Sequence, residues 1–477
     1  MPEFLKSTGS WLLPEITTHL GFLLALVFLG YVLKQKRSPA STMAWLLLVL
    51  FLPYVGVPLY LMLGGRKMSR MARRKARVYG RSEAHSSQPG RELDRFLISY
   101  GAPPATEGNR IRLLTRGEDA FRELANIIDG ARATIHITTY ILGRDDVGKE
   151  LVRRLAAKAS EGVSVRLLLD DVGSWKVGRR LLAPLHAAGA KVAYFMPVLH
   201  IPFRGRANLR NHRKIIVVDG RVAVTGGMNL AWPYMGPEPG PDLWQDLFAV
   251  VEGPAVADLD WLFISDWAFA TREDLSAPDH EPERADPGGQ VRSAPARPGT
   301  SRVQVVASGP DVPDDPLYET LVSMIFAARR RIWIITPYFI PDEMLIRSLN
   351  LAARRGVDVR LIIPERSNHI SADLARASYL RELHEAGGQV LLYGPAMLHA
   401  KAVVFDESLA VIGSANMDNR SLFLNYEVAL FLYSRSQVDE VAEWATRLMD
   451  DCRRGLPRAG WSRELLESVL RLLSPLL

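Results

Sequence analysis

The hydrophobic positions near the amino terminus form two long apolar runs. Residues 16–33 and 43–63 are joined by a short polar link, and each run is about long enough to cross a bilayer as a helix. Pro53 and Pro58 would kink the second run, so a shallow re-entrant hairpin is the alternative to a full span. The pattern favours two spanning helices and predicts a membrane hairpin over residues 1–66.

Further along the chain, short apolar runs rich in Val and Ile alternate with helical patterns, as is typical of α/β proteins. This alternation occurs twice, because three segments of the first half match three of the second: 131–142 with 328–340, 161–171 with 355–365, and 185–195 with 383–393. We therefore predict two similar α/β units, at residues 108–271 and 303–477, with a Pro- and Gly-rich linker at 272–302 between them.

The last residues, 462–477, place their apolar side chains on one face of a predicted helix. An amphipathic helix of this kind either rests on a bilayer surface or packs against the second α/β unit. Both positions are compatible with the pattern.

A cluster of basic residues, here called the basic collar, follows the second apolar run. Seven basic residues with no acid among them follow the second apolar run: Arg66, Lys67, Arg70, Arg73, Arg74, Lys75 and Arg77. Their number equals the net charge of +7, so the rest of the chain is close to neutral, which disfavours a nucleic-acid partner. An excess of basic residues after the second run predicts a cytoplasmic amino terminus and cytoplasmic α/β units. Within the collar and linker at 67–107, these cations could attract anionic lipid head groups or act as a plain stop-transfer flank.

Each α/β unit carries the motif His-x-Lys-x4-Asp followed by a Gly-x-x-Asn element. The motif residues are His212, Lys214, Asp219, His399, Lys401 and Asp406, and the following elements contain Gly227, Asn229, Ser414 and Asn416. Residues two apart on a strand project from the same face, so each histidine should lie beside its lysine. The aspartates complete the catalytic motif, although their turn positions favour a structural role over that of a base.

This motif suits chemistry at a phosphate. If the two units meet across a pseudo-twofold axis, one pocket holds two imidazoles, two ammonium groups and two amides. Cations and amides would clamp the phosphate oxygens while an imidazole attacks phosphorus. A metal site is disfavoured, because the lysine beside each histidine would repel a cation. The single cysteine, Cys452, excludes an internal disulfide framework, and we expect neither a metal nor a cofactor.

These motifs resemble the signature of the phospholipase D superfamily. The chain is more narrowly similar to the bacterial cardiolipin synthases of that superfamily, through "GSANMDNRSLFLNYE" at 413–427, "TPYFIPDE" at 336–343 and the two amino-terminal apolar runs. The resemblance implies a duplicated phospholipase D-like α/β sandwich with pseudo-twofold symmetry and an amino-terminal transmembrane hairpin. It also implies a multi-pass protein of the bacterial inner membrane.

The resemblance further implies transfer of a phosphatidyl group from one phosphatidylglycerol to another, which yields cardiolipin and glycerol through a phosphohistidine. By family position His212 is the nucleophile and His399 the acid and base, with Asp246 holding His212 and Glu427 holding His399. Gly227 departs from the serine that the family usually has there. Two alternatives remain: a membrane-bound phosphodiesterase that uses water, and a transferase with another acceptor such as phosphatidylethanolamine. A catalytically dead scaffold is disfavoured because both motifs are complete.

Overall fold

The computed structural model describes residues 19–23, 25–33, 39–63, 75, 92–197, 209–275, 299–312, 314–456, 460, 463, 467 and 471. The basic collar apart from Lys75, most of the predicted linker at 272–302 and most of 462–477 lie outside these residues. The chain divides into two compact units, one formed by residues 1–68 and 198–208, the other by residues 69–197 and 209–477.

The described part of the amino-terminal unit is helical. Helices α1 (Pro39–Phe51) and α2 (Pro53–Leu63) follow helical residues at 19–23 and 25–33. The second apolar run is therefore two helices and not one, because Pro53 has no N–H to continue the ladder of α1 and begins α2. A Cβ atom at Gly56 would lie 2.6 Å from the carbonyl oxygen of Leu48, so glycine allows α2 to fold back closely. Among the helices described here, none is both long and apolar enough to span a membrane.

The described residues of the second unit form one sheet of 15 strands. In its first half the strands are β1 (Thr106–Leu114), β2 (Thr134–Thr139), β3 (Ser164–Asp170), β4 (Lys191–Phe195), β5 (Ile215–Val218), β6 (Val222–Gly226) and β7 (Phe248–Glu252). The helices of this half are α3 (Glu92–Ser99), α4 (Gly117–Asp129), α5 (Asp146–Ser160), α6 (Arg179–Ala187) and α7 (Ala255–Thr271).

The second half repeats this arrangement and adds short elements. Its strands are β8 (Ser301–Ser308), β9 (Arg331–Ile335), β10 (Phe339–Ile340), β11 (Asp358–Pro364), β12 (Gln389–Tyr393), β13 (Ala402–Phe405), β14 (Leu409–Gly413), β15 (Met417–Asp418), β16 (Glu427–Leu432) and β17 (Cys452–Arg454). Its helices are α8 (Pro316–Ala327), α9 (Glu343–Arg354), α10 (Ile370–Glu385), α11 (Asn419–Phe423) and α12 (Arg435–Asp450). β10 and β15 form a separate two-stranded parallel sheet.

Strand order confirms the duplicated α/β organisation. From the centre of the sheet outward, the first half runs β1-β7-β6-β5-β2-β3-β4, and the second half runs β8-β16-β14-β13-β9-β11-β12 before the added β17. Antiparallel pairing of β1 with β8, through Thr106 and Val303, joins the two halves into one continuous sheet. The two halves also share a helix cap. Asp145 caps α5 and Asp342 caps α9, and each side chain accepts a hydrogen bond from the backbone N–H three residues later.

Candidate active site

The two motif histidines lie where the halves of the sheet meet. His212 precedes β5 and His399 precedes β13, so each occupies the same place in its half. The backbone N–H of His212 donates to the carbonyl of Tyr426 at 2.9 Å, and that of His399 donates to the carbonyl of Gln245 at 2.7 Å. Each histidine is therefore anchored to the opposite half of the sheet.

Each imidazole also binds a carboxylate from the opposite half. Nδ1 of His212 lies 3.0 Å from Oε2 of Glu427, and Nδ1 of His399 lies 2.7 Å from Oδ2 of Asp246. The expectation that Asp246 holds His212 and Glu427 holds His399 is therefore wrong. Two parallel bridges explain the exchange, because Asn211 pairs with Tyr426 and Gln245 pairs with Leu398. The residues that follow these pairs therefore lie opposite each other, His212 with Glu427 and Asp246 with His399.

Gly227 and Ser414 occupy matching positions but contact their carboxylates differently. The hydroxyl of Ser414 donates to Oε2 of Glu427 at 2.5 Å. A Cβ atom at Gly227 would lie only 2.1 Å from Oδ1 of Asp246. The shorter aspartate thus fills the space that a serine side chain would need, which gives a physical reason for the glycine.

The motif lysines are buried beside their own histidines. Nζ of Lys214 donates to the carbonyl of His212 at 2.8 Å. Nζ of Lys401 donates to the carbonyl of His399 and lies against the ring of that residue, 2.7 Å from Nδ1 and 3.1 Å from Nε2. Burial lowers the pKa of Lys214 to about 7 and that of Lys401 to about 8. A bound anion would favour the charged form of both ammonium groups.

Both imidazoles are held neutral. Burial, followed by the charge of Lys401, lowers the pKa of His399 to about 3 and outweighs the opposing effect of Asp246. The pKa of His212 is lowered by burial, and the charge of Lys214 adds to this effect against that of Glu427. A neutral ring that donates its Nδ1–H to a carboxylate presents a lone pair at Nε2, as a nucleophile requires.

The carboxylates stay ionised although they are buried. Burial raises the pKa of Asp246 and Glu427, but neighbouring cations and hydrogen bonds outweigh it, so both values lie below the ordinary range. For Asp246 the main opposing effect on the pKa comes from Lys401, and for Glu427 it comes from His212, followed by Lys214 and the hydroxyl of Ser414. Each ion thus orients one imidazole.

The motif asparagines, Asn229 and Asn416, are also buried. Oδ1 of Asn229 accepts a hydrogen bond from the backbone N–H of Ile141 at 3.1 Å, which fixes its amide group. Oδ1 of Asn416 is buried without a hydrogen-bond partner among the described residues.

Asp219 and Asp406 do not share the site with the histidines, so the prediction that they are catalytic residues is wrong. Each lies at the far end of its strand, β5 or β13, from the motif histidine. The carboxylate of Asp219 accepts hydrogen bonds from the backbone N–H groups of residues 132–134, and that of Asp406 from those of residues 329–331. The two aspartates therefore fix the chain before β2 and β9.

Aromatic residues that the sequence interpretation missed line the site. The Tyr140 ring lies 5.0 Å from that of His212, and the Tyr234 and Trp244 rings lie 5.0 and 5.4 Å from that of His399. Of these three residues, only Tyr140 could have been identified from the sequence, because Tyr338 occupies the matching position of the second half. Both histidines are buried beside these rings.

Behind His212 lies a buried cluster of charged side chains. Arg213 points away from the site and binds Asp266 at 2.7 Å and Asp311 at 3.4 Å. Lys75 also binds both aspartates, at 2.6 Å from Asp311, and its side chain is 1% exposed. Lys75 therefore serves neither predicted role of the collar, because two buried carboxylates bind its charge inside the protein.

Replacing Lys75 with methionine is expected to lower the free energy of unfolding by about 3 kcal/mol or more, because it leaves a buried carboxylate without its cation. Urea unfolding of the full-length protein in detergent would measure this change. Adding Asp266→Asn should recover part of the loss, while the exposed control Lys176→Met should have little effect. A double variant that loses the sum of the two single effects would contradict this account.

The described residues contain no group of three or more His, Cys, Asp or Glu side chains arranged to hold a metal ion. The expectation of a reaction without metal or cofactor stays a prediction.

Comparison with known protein families gives two matches. A family profile described as "Cardiolipin synthase, PLD-like domain" matches residues 124–267 and 321–449, which include both histidines. A second profile, "Phospholipase_D-nuclease N-terminal", matches residues 23–65.

Full-length relatives are similar along almost the whole chain. Cardiolipin synthase 1 of Bacillus anthracis is 34% identical over 97% of this chain and 95% of its own length. A cardiolipin synthase of Geobacillus thermodenitrificans is 35% identical over 95% of this chain and 92% of its own length. The crystal structure of a phosphatidylserine synthase from Haemophilus influenzae has a similar fold, with a TM-score of 0.60, 15% identity and coverage of 81% of this chain and 98% of that one.

Proposed function

Because the chain belongs to the cardiolipin synthases with phospholipase D-like domains, we propose that it transfers a phosphatidyl group from one phosphatidylglycerol to a second. The products are cardiolipin and glycerol. The observation that supports this proposal best is the pair of neutral imidazoles, each oriented by a carboxylate from the opposite half of the sheet. Two buried lysines beside them supply the charge that a phosphodiester needs.

In the first step, Nε2 of His212 attacks phosphorus while Glu427 holds its Nδ1–H. The P–O bond to glycerol breaks, and His399 delivers a proton to the departing oxygen. The phosphodiester charge favours the imidazolium form of His399, and the ammonium of Lys401, 3.1 Å from Nε2, can supply the proton. A phosphatidyl group is then bonded to His212.

In the second step, His399 accepts the proton of a phosphatidylglycerol hydroxyl, and the resulting oxygen attacks phosphorus. His399 then returns the proton to Lys401, which restores the starting state of both groups. The bond to His212 breaks and its ring returns to the neutral form. Lys214, with the amides of Asn229 and Asn416, would hold the phosphate oxygens through both steps, and Lys401 would join them while it carries its proton. The lipid acceptor is favoured over water because the site is buried and a membrane concentrates lipid beside it.

Product analysis tests this function. Purified protein incubated with phosphatidylglycerol alone should form cardiolipin and glycerol in equal amounts. Phosphatidic acid without cardiolipin would identify a hydrolase that uses water. A product that forms only after phosphatidylethanolamine is added would identify that lipid as the second substrate.

We also propose that the amino-terminal unit attaches the chain to the inner membrane, with the sheet on the cytoplasmic side. The described helices of this unit expose many apolar side chains, among them Leu20, Phe22, Leu26, Val27, Tyr31 and Phe51. Such a surface is costly in water. Resistance to alkaline carbonate extraction is the expected result, and release of the protein into the soluble fraction would contradict it.

The pH dependence of the reaction follows from the lysines. Since Lys214 and Lys401 bind phosphate only as ammonium ions, kcat/KM should fall as the pH rises through about 7 to 8. The corresponding fall in kcat should occur at higher pH, because bound phosphate stabilises the charged form. No acid limb should appear near pH 6, where an ordinary histidine titrates, because the pKa of His399 is lowered to about 3. A kcat/KM that stays constant up to pH 9 would contradict these assignments.

A further inference from the structure

A basic groove lies between α5 and α6 on the first half of the sheet. Its volume is about 440 Å³. Val152, Ala156, Leu181 and Pro184 contribute apolar surface to its lining, and four cations surround them: Arg144, Lys149, Arg153 and Arg180. These four side chains define the basic groove.

Acidic neighbours offset only part of this charge. Lys149 pairs with Asp146 at 2.9 Å and Arg153 with Glu150 at 2.7 Å, both within α5. In the part of the chain that the structure describes, neither Arg144 nor Arg180 forms an ion pair. The groove therefore keeps an excess of positive charge beside apolar surface.

The second half of the sheet supplies an internal comparison. The two halves correspond through the capping residues Asp145 and Asp342 and through the repeated "LHAAG" and "LHEAG". The positions that match the four cations then hold Pro341, Ile346, Asn350 and Ser378. None of these is charged although the same helix pair forms, so the fold itself does not require the cations.

The matching face of the second half is also covered. Arg471, from the described part of the C-terminal segment, binds Glu382 at 3.1 Å and stacks 4.4 Å from the centre of the Tyr379 ring. Tyr379 and Glu382 correspond to Leu181 and Pro184 of the groove. Described residues of the chain thus contact one copy of this face, and the other copy is lined by cations.

One loop connects the groove to the active site. Trp175, which is 74% exposed, lies beside Lys176 between β3 and the start of α6. Its neighbour Ser174 donates a hydrogen bond to the carbonyl of Tyr140 at 2.9 Å, and the Tyr140 ring contacts His212. An exposed indole next to basic side chains is typical of a protein surface at the lipid–water interface.

We infer that the basic groove and Trp175 dock the head group of an anionic phospholipid in the bilayer surface. The phosphate pairs with Arg144 and Arg180, and the indole lies at the level of the head groups. This inference rests on the proposed function for the lipid class, because the donor lipid of that reaction is itself anionic. Docking here would hold the bilayer against the rim of the active site.

A fluorescence titration tests the docking without any turnover. Full-length protein carrying Cys452→Ser, His212→Asn and Lys176→Cys is labelled at residue 176 with a polarity-sensitive dye and held in neutral detergent micelles. Phosphatidylglycerol should shift the emission to the blue, and phosphatidylcholine should not. Arg144→Gln with Arg180→Gln should raise the half-saturating phosphatidylglycerol content about tenfold.

The matched control removes the same charge elsewhere. Arg221→Gln with Arg329→Gln changes two exposed arginines at the opposite end of the sheet from the histidines, and it should leave the titration unchanged. Equal titrations of the groove variant and its parent would overturn the inference, as would an equal response to phosphatidylcholine or saturation by soluble glycerol phosphate. Because the readout needs no catalysis, these outcomes are independent of whether cardiolipin is formed.

Discussion

Replacing either His212 or His399 with alanine is expected to lower the rate of cardiolipin formation by at least about a thousand-fold. His212 supplies the atom that bonds to phosphorus, and His399 moves the proton in both steps, so neither loss can be offset by the other. Conversion of labelled phosphatidylglycerol by the purified variants would measure the effect.

His384→Ala provides the control for this prediction, because His384 is an exposed residue at the end of α10. Its rate should match that of the unaltered protein. Thermal unfolding should show that all three variants keep the fold. A histidine variant of the site that retains a tenth of the activity would contradict the proposed roles.

Glu427→Gln and Asp246→Asn are each expected to lower the rate about a hundred-fold or more. An amide in place of either carboxylate no longer stabilises a positively charged ring and no longer fixes Nδ1–H as a donor. The lone pair then is not held at Nε2, where the chemistry requires it. Steady-state assays of both variants would measure the loss.

A phosphatidyl ester with a nitrophenol leaving group separates the two carboxylates, because nitrophenolate departs without a proton. Asp246→Asn disturbs only His399, so a rapid burst of nitrophenol should persist. Glu427→Gln disturbs the nucleophile, so the burst should disappear. If each carboxylate served the histidine of its own half, the two results would be reversed.

Much of this site could be predicted from local sequence. The repeat of His-x-Lys-x4-Asp identified His212 and His399 together with their lysines, because strand periodicity fixes which side chains share a face. The turn position of Asp219 and Asp406 indicated the structural role that the backbone hydrogen bonds show. The motif alone predicted that these aspartates are catalytic, whereas their turn positions predicted a structural role.

The crosswise carboxylates could not be predicted in this way. Which half supplies the partner of His212 depends on how the two halves join, and the strand bridges at Asn211 and Gln245 create that junction. Neither bridge has a local sequence signal. Lys75 was misassigned for a related reason: its partners Asp266 and Asp311 are 191 and 236 residues away in sequence.

A structure of the full-length protein with orthovanadate would test the central claim most directly, since vanadate adopts the five-coordinate geometry of phosphoryl transfer. Our account predicts one vanadium bonded to Nε2 of His212, with Nε2 of His399 in hydrogen-bond contact with the apical oxygen opposite. Vanadate held by one histidine while the other ring contacts no part of it would contradict the claim that both imidazoles act on a single phosphorus.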